Sequence, residues 1–178
     1  MGSLTWLNRA DLATLACPYC GRMADPASPE VLAAEQTWGF VGASLTLRGG
    51  RTAALLVTPD PETRTAMLTC LWVAPGWAGQ GRGKRLIQAT AAGLLSRDVI
   101  AIVARGSKAM PRCSAPPADF LRAVGFSRTS DERGGTRLWR LDLTTTAMAD
   151  GLRGWLAHWV RVLRPVRPEP AGRTASKH

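Results

Sequence analysis

Hydrophobic and polar positions change their period several times along the chain, and each change marks an element. Leu4 to Leu7 reads as a first strand, and Asn8 is a good N-cap for a short helix through Ala16, stopped at Cys17-Pro18. Residues 17 to 30, with three prolines, read as loop, and Pro29-Glu30 opens a second short helix through about Gln36. Thr37 to Leu47 is rich in strand formers and ends at Arg48-Gly49-Gly50-Arg51, a hairpin turn. Thr52 to Thr58 is the next strand, broken by Pro59-Asp60-Pro61-Glu62, and Ala66 to Val73 is a third, stopped by Pro75. The three make an antiparallel meander.

From Gly83 to Ser96 the period becomes helical. Leu86, Thr90 and Leu94 form one row and Ile87, Ala91 and Leu95 the row beside it, a stripe wide enough to lie on a sheet. Val99 to Ala104 is a near-continuous apolar run, the pattern of a strand buried on both faces. Pro116-Pro117 opens a helix to about Val124, ended by Gly125; Phe126 to Ser130 and Thr136 to Leu143 then close the domain as a hairpin. The order is β-α-α-β-β-β-α-β-α-β-β, with one βαβ unit at its centre. The class is α/β, a mixed central sheet flanked by helices.

At 178 residues the chain is one domain long. No apolar run approaches the roughly 20 residues of a membrane span, and no secretory pattern opens the chain, so the cytoplasm is expected. The formal charge of +10 suits an anionic ligand or surface, but half of it is local: residues 151 to 178 hold six cations against Glu169 alone. Cys17 and Cys20 form a CxxC pair, while Cys70 and Cys113 stand alone. A lone CxxC is a weak metal signal, and both histidines lie in the C-terminal appendage. No metal is expected; zinc would have to recruit Cys70 and Cys113.

The chemistry concentrates in Val73-Ala-Pro-Gly-Trp-Ala-Gly-Gln-Gly-Arg-Gly-Lys-Arg-Leu86. Glycines at 79, 81 and 83 let backbone N–H groups approach a ligand, and they sit where a helix begins, which favours phosphate oxygens. A Walker A loop fails here, because Arg82 follows Gly81 and Arg85 follows Lys84 where a lysine and a hydroxyl are needed. A dinucleotide fingerprint fails on the spacing of its last glycine.

Val-x-Pro, a short gap and Ala78-Gly79-Gln80-Gly81-Arg82-Gly83 before a helix resemble motif A of the GCN5-related N-acetyltransferase (GNAT) superfamily. The resemblance runs from about Leu4 to Leu143 and includes Phe120-Leu-Arg-Ala-Val-Gly-Phe126, similar to the family's "LYEKLGF" segment. It departs at Ala78, where the family has Arg or Gln. By this resemblance, residues 1–143 form an acyltransferase domain using acetyl-CoA or another acyl-CoA. The backbone of Leu71, Trp72 and Val73 would pair with the pantetheine arm. The N–H groups of Gly79, Gln80, Gly81, Arg82, Gly83 and Lys84 would hold the pyrophosphate, and an amine, small or on a protein, would accept the acyl group.

Two proton carriers of that family are missing from their places. The strand Ala66–Val73 has no carboxylate, and Leu121 stands where a tyrosine usually protonates the leaving thiolate. Cys113 is the leading substitute, with Ser114, Asp60 and Glu62 behind it. The only tyrosine, Tyr19, lies in the CxxC loop, which in the family commonly lines the acceptor pocket. These gaps keep a second reading open, an acyl-CoA-binding or scaffold module whose chemistry is lost.

Residues 144–164 form a C-terminal amphipathic segment, with Leu152, Trp155, Leu156, Trp159, Val160 and Leu163 on one helical face. Docking on the core or in a homodimer is favoured over membrane contact. Residues 165–178 read as a basic, disordered tail, and nucleic-acid binding is not expected because aromatic interleaving is lacking.

Overall fold

The computed structural model describes residues 2–60, 62–107, 113–133 and 136–148. The expected appendage and tail lie outside them. A seven-stranded sheet runs in the order β1-β2-β3-β4-β5-β7-β6. Its strands are β1 (Ser3–Leu7), β2 (Gly42–Leu47), β3 (Gly50–Pro59), β4 (Thr65–Val73), β5 (Ala101–Arg105), β6 (Ser127–Arg133) and β7 (Thr136–Asp142). Neighbouring strands are antiparallel except β4 and β5, the parallel pair of the βαβ unit.

Helix α1 (Pro29–Trp38) starts at a Ser28 cap and runs past the expected end at Gln36. Thr37 and Trp38 belong to it, not to a strand. Gly39 stops it at φ 77°, a left-handed conformation that costs glycine nothing. Asn8 caps a 3-10 turn over Arg9–Thr14 with a reciprocal bond to Asp11, where a short helix was expected.

Helix α2 (Arg82–Leu95) buries Leu86, Ile87, Thr90, Ala91 and Leu94, the expected stripe. It packs on β2, β3 and β4, while α1 packs on β3. Thr52 to Val57 of β3 are all buried, so both faces of that strand are covered. Helix α3 (Ala118–Ala123) precedes the final hairpin.

The expected domain end at Leu143 falls inside an element. Helix α4 (Leu143–Met148) begins there, with Leu143 buried and its N–H bonded to the Ile100 carbonyl. Asp142 accepts from the Thr144 and Thr145 N–H groups and from the Thr144 hydroxyl. The body of the molecule therefore extends past 143, onto α2 and β5.

Candidate active site

The site begins with one extra residue. β3 and β4 pair Val57 with Leu68 and Leu56 with Cys70, so Thr69 is a bulge in β4. A bulge bends its strand and raises its twist. The β4–β5 pairing ends at the adjacent step, Leu68 with Ala104. Beyond it the two strands part, and a cleft of about 1050 Å³ opens, walled by the end of β4, the glycine loop, α3 and the loop carrying Tyr19 and Cys20.

Alternation along β4 decides which backbone groups face that gap. The Ala74 N–H bonds the Thr52 carbonyl of β3, so Trp72, two residues earlier, also turns its peptide groups toward β3. Leu71 and Val73 face the gap, and both are engaged. The Leu71 N–H donates to the Cys113 carbonyl at 2.7 Å, and the Tyr19 hydroxyl donates to the Val73 carbonyl at 2.6 Å. Of the three residues expected to pair with a pantetheine arm, Trp72 offers its side chain, not its backbone.

At the loop, Gly79 and Gly81 both have φ 73°, and a Cβ on either would point into open space. Gly81 is the N-cap of α2. It supplies no side-chain cap, and the first turn carries no acidic residue. The first N–H groups of the helix are thus left to an external acceptor, with the positive end of the dipole behind them. Gln80 closes the loop by donating to the Gly76 carbonyl. Gly83 is glycine for another reason: a Cβ there would lie 3.1 Å from the Phe120 ring, part of the cleft wall.

Arg82 lies across the back of this cradle. It donates to the Thr52 hydroxyl, its guanidinium stacks 4.1 Å from the centre of the Trp77 ring, and its buried Nε–H has no protein partner. Lys84 and Arg22 add two more cations to the wall. No aspartate, glutamate or histidine lines the cleft among the described residues. Asp60 and Glu62, candidates by sequence, lie together in the turn after β3 and away from that wall.

The remaining proton carriers are Tyr19, Cys20, Cys113 and Ser114. Leu121 is fully buried and outside the wall, so the family's tyrosine position faces the core, while Phe120 and Val124 face the cleft. Cys113 stands 3.6 Å, sulfur to sulfur, from Cys20. Burial, then the bond with Cys20, pushes its thiol up to about 11. Burial likewise pushes Cys70 well above the ordinary thiol range, whereas the backbone N–H of Arg22 lowers Cys20. Tyr19 is the residue sequence reasoning undervalued: it is 54 positions from Val73, and nothing local announces their contact.

No protein-family model matches the sequence, and no curated protein does. Solved structures match over most of the described body. PaiA N-acetyltransferase from Thermoplasma acidophilum, in complex with coenzyme A, superimposes at a TM-score of 0.59 with 13% identity, covering 80% of this chain and 99% of that one. The GNAT-like decarboxylase GphF, in complex with isobutyryl-CoA, gives 0.58 with 17% identity over 79% and 99%. YncA from Salmonella typhimurium, with its cofactor acetyl-CoA, gives 0.54 with 17% identity over 80% and 94%.

A mixed sheet with one parallel pair, parted above a glycine loop at a helix N-terminus, defines the α/β class of the chain. It is the GNAT fold.

Proposed function

We propose that the chain is an acyl-CoA-dependent N-acyltransferase, with acetyl-CoA as the first donor to test. One observation carries the reading: the uncapped N-terminus of α2, its glycine cradle and the gap-facing backbone of Leu71 and Val73 line a single cleft. The pyrophosphate would accept from the N–H groups of Gly79 to Lys84, with Lys84 and Arg82 offsetting its charge. The arm would run back along β4, and its amide N–H would take the Val73 carbonyl from Tyr19. That exchange would leave the Tyr19 hydroxyl beside the arm, as proton donor to the departing thiolate. Cys113 is the weaker candidate for that role, because its thiol is already engaged by Cys20.

The acceptor class follows from what the wall lacks. With no carboxylate or imidazole among the described residues of the wall to take its proton, the amine would arrive unprotonated. A peptide α-amino group, pKa about 7.8, is about one-third free base at pH 7.5; a lysine side chain, pKa about 10.4, is about 0.1% free. A low-pKa amine, such as a chain N-terminus, is therefore the proposed acceptor, met where acyl-CoA is made, in the cytoplasm. The test offers acetyl-CoA with peptides carrying a free N-terminus and with N-blocked peptides carrying lysine. Turnover on the first set and not the second is expected; the reverse preference overturns the acceptor assignment.

A second reading rests on the Leu71 N–H, which faces the gap where it could polarise a thioester carbonyl but donates to the Cys113 carbonyl. If that bond persists with ligand bound, the chain holds acyl-CoA without transferring it. Tight CoA binding with no turnover on any amine is the outcome that selects this reading.

A further inference from the structure

Three of the four cysteines converge, although Cys113 lies far along the sequence from Cys17 and Cys20. The sulfurs of Cys17, Cys20 and Cys113 lie within 4.8 Å of one another, and the Cys20–Cys113 pair is 3.6 Å apart. Four thiolates placed tetrahedrally at 2.3 Å from zinc stand about 3.8 Å apart. Cys70 stands on β4 beside the bulge, next to Leu71, whose N–H bonds the Cys113 carbonyl.

The backbone around the CxxC pair is shaped for ligation. The Gly21 N–H bonds the Cys17 carbonyl and the Cys17 N–H bonds the Arg22 carbonyl, each at 2.9 Å, closing a tight turn that needs Gly21 at φ 67°. Arg22 lies on the cleft wall beside Cys20, so a positive charge stands near the same thiol.

We propose that Cys17, Cys20, Cys113 and Cys70 bind a Zn²⁺ ion that staples the Tyr19 loop to the segment entering α3. Zinc displaces four protons from the four thiols to solvent, and the resulting centre carries two negative charges, which Arg22 faces. A disulfide would use only two of the sulfurs. Soft thiolates in a set of four select zinc over oxygen-seeking ions, and a metal centre persists where thiols are kept reduced.

The position gives the staple a consequence. Tyr19 lies between two ligands, and the Cys113 carbonyl holds the Leu71 N–H, so the ion fixes both groups that occupy the gap-facing edge of β4. The metal assignment stands on the sulfurs alone and does not depend on what the cleft catalyses.

The test purifies the full chain with a thiol reductant and without chelator, measures zinc by plasma mass spectrometry, and then exchanges it for Co²⁺. One zinc per chain is expected, with thiolate-to-cobalt charge transfer and the visible bands of a tetrahedral site. Cys113→Ser and Cys20→Ser should lose the metal to a chromogenic chelator at least tenfold more readily. Cys70→Ser should keep a cobalt site with weaker charge transfer. Because the serine variants can misfold, wild-type chain stripped by chelator and followed by circular dichroism supplies a second reading, with a lower melting temperature restored by zinc. A folded, reduced chain that binds neither zinc nor cobalt overturns the proposal. So does a Cys113→Ser variant with unchanged metal affinity, a Cys70→Ser variant with an unchanged cobalt spectrum, or a disulfide among these cysteines that persists in protein isolated with the reductant.

Discussion

Gly83 is held to a hydrogen atom by the ring across from it. Its missing Cβ would sit 3.1 Å from Phe120, so Gly83→Val must drive that ring into the cleft. Overpacking of this kind costs about 1–3 kcal/mol. We expect Gly83→Val to weaken CoA binding about tenfold, or about 1.4 kcal/mol, with an unchanged circular dichroism spectrum, as measured by calorimetry. An unaltered affinity would remove the pyrophosphate from this loop. Tyr19→Phe tests the proton donor differently. Loss of a general acid lowers kcat about 10²-fold, whereas loss of a mere competitor for the Val73 carbonyl would tighten acyl-CoA binding and spare kcat. We expect the fall in kcat. At the far end of β7, hydrogen bonds from Thr144 and Thr145 hold the Asp142 carboxyl below its ordinary range. A depressed carboxyl contributes stability that is present above its unfolded pKa and lost as pH falls through the folded one. Asp142→Ala should therefore lower the melting temperature at pH 7, as loss of a cap worth about 1 kcal/mol does, and have little effect once the pH is well below the ordinary carboxylate range.

Among the elements, β4 does most to make a site. One inserted residue, Thr69, coincides with the point where β4 leaves β5, and the hydroxyl of Thr69 bonds the Leu56 carbonyl across the bulge. Deleting Thr69 would let Leu68 and Cys70 pair with Val57 and Leu56 in an unbroken ladder. The prediction is a folded chain, by circular dichroism, whose β4 and β5 stay together and whose CoA affinity is lost. If the deletion variant still binds CoA, the bulge is not what opens the cleft. Helix α2 contributes in the complementary way. Its buried stripe seats it on β2, β3 and β4, and that docking aims its uncapped end at the gap. An acidic residue in the first turn, as in Lys84→Glu, would offer the helix an internal anion and should weaken CoA binding further than loss of the lysine charge in Lys84→Ala.

For the molecule as a whole, the cleft walls among the described residues all come from positions before 125. Truncation after Met148 should leave CoA affinity intact. The same truncation removes Trp155 and Trp159, which the sequence places on one helical side. If they pack on protein, the shortened chain melts earlier or changes its apparent mass in solution. An equally stable chain of unchanged mass that loses liposome binding would instead assign the appendage to a membrane. Among the described residues, no helix is long and apolar enough to cross one.

What the sequence determined by itself was whatever depends on neighbours in the chain. The rows Leu86-Thr90-Leu94 and Ile87-Ala91-Leu95 mark α2, because a helix brings residues three and four apart onto one side. The run Val99–Ala104 marks the buried β5, and the glycine spacing marks the turn that starts α2. Boundaries failed where a single backbone conformation decided them: strand-forming Thr37 and Trp38 stay helical until Gly39 turns left-handed. Tertiary structure alone decided the rest. Thr69 becomes a bulge only because Leu56 and Val57 count one residue fewer across the ladder. Trp72 turns its backbone away from the gap because alternation on β4 is set by β3. Tyr19 reaches Val73, and Cys113 reaches Cys20, because sheet order folds the loop after the 3-10 turn against the entry to α3. Such contacts join positions 54 and 93 residues apart. No local period encodes them, since they exist only once the hydrophobic core has fixed where each strand lies.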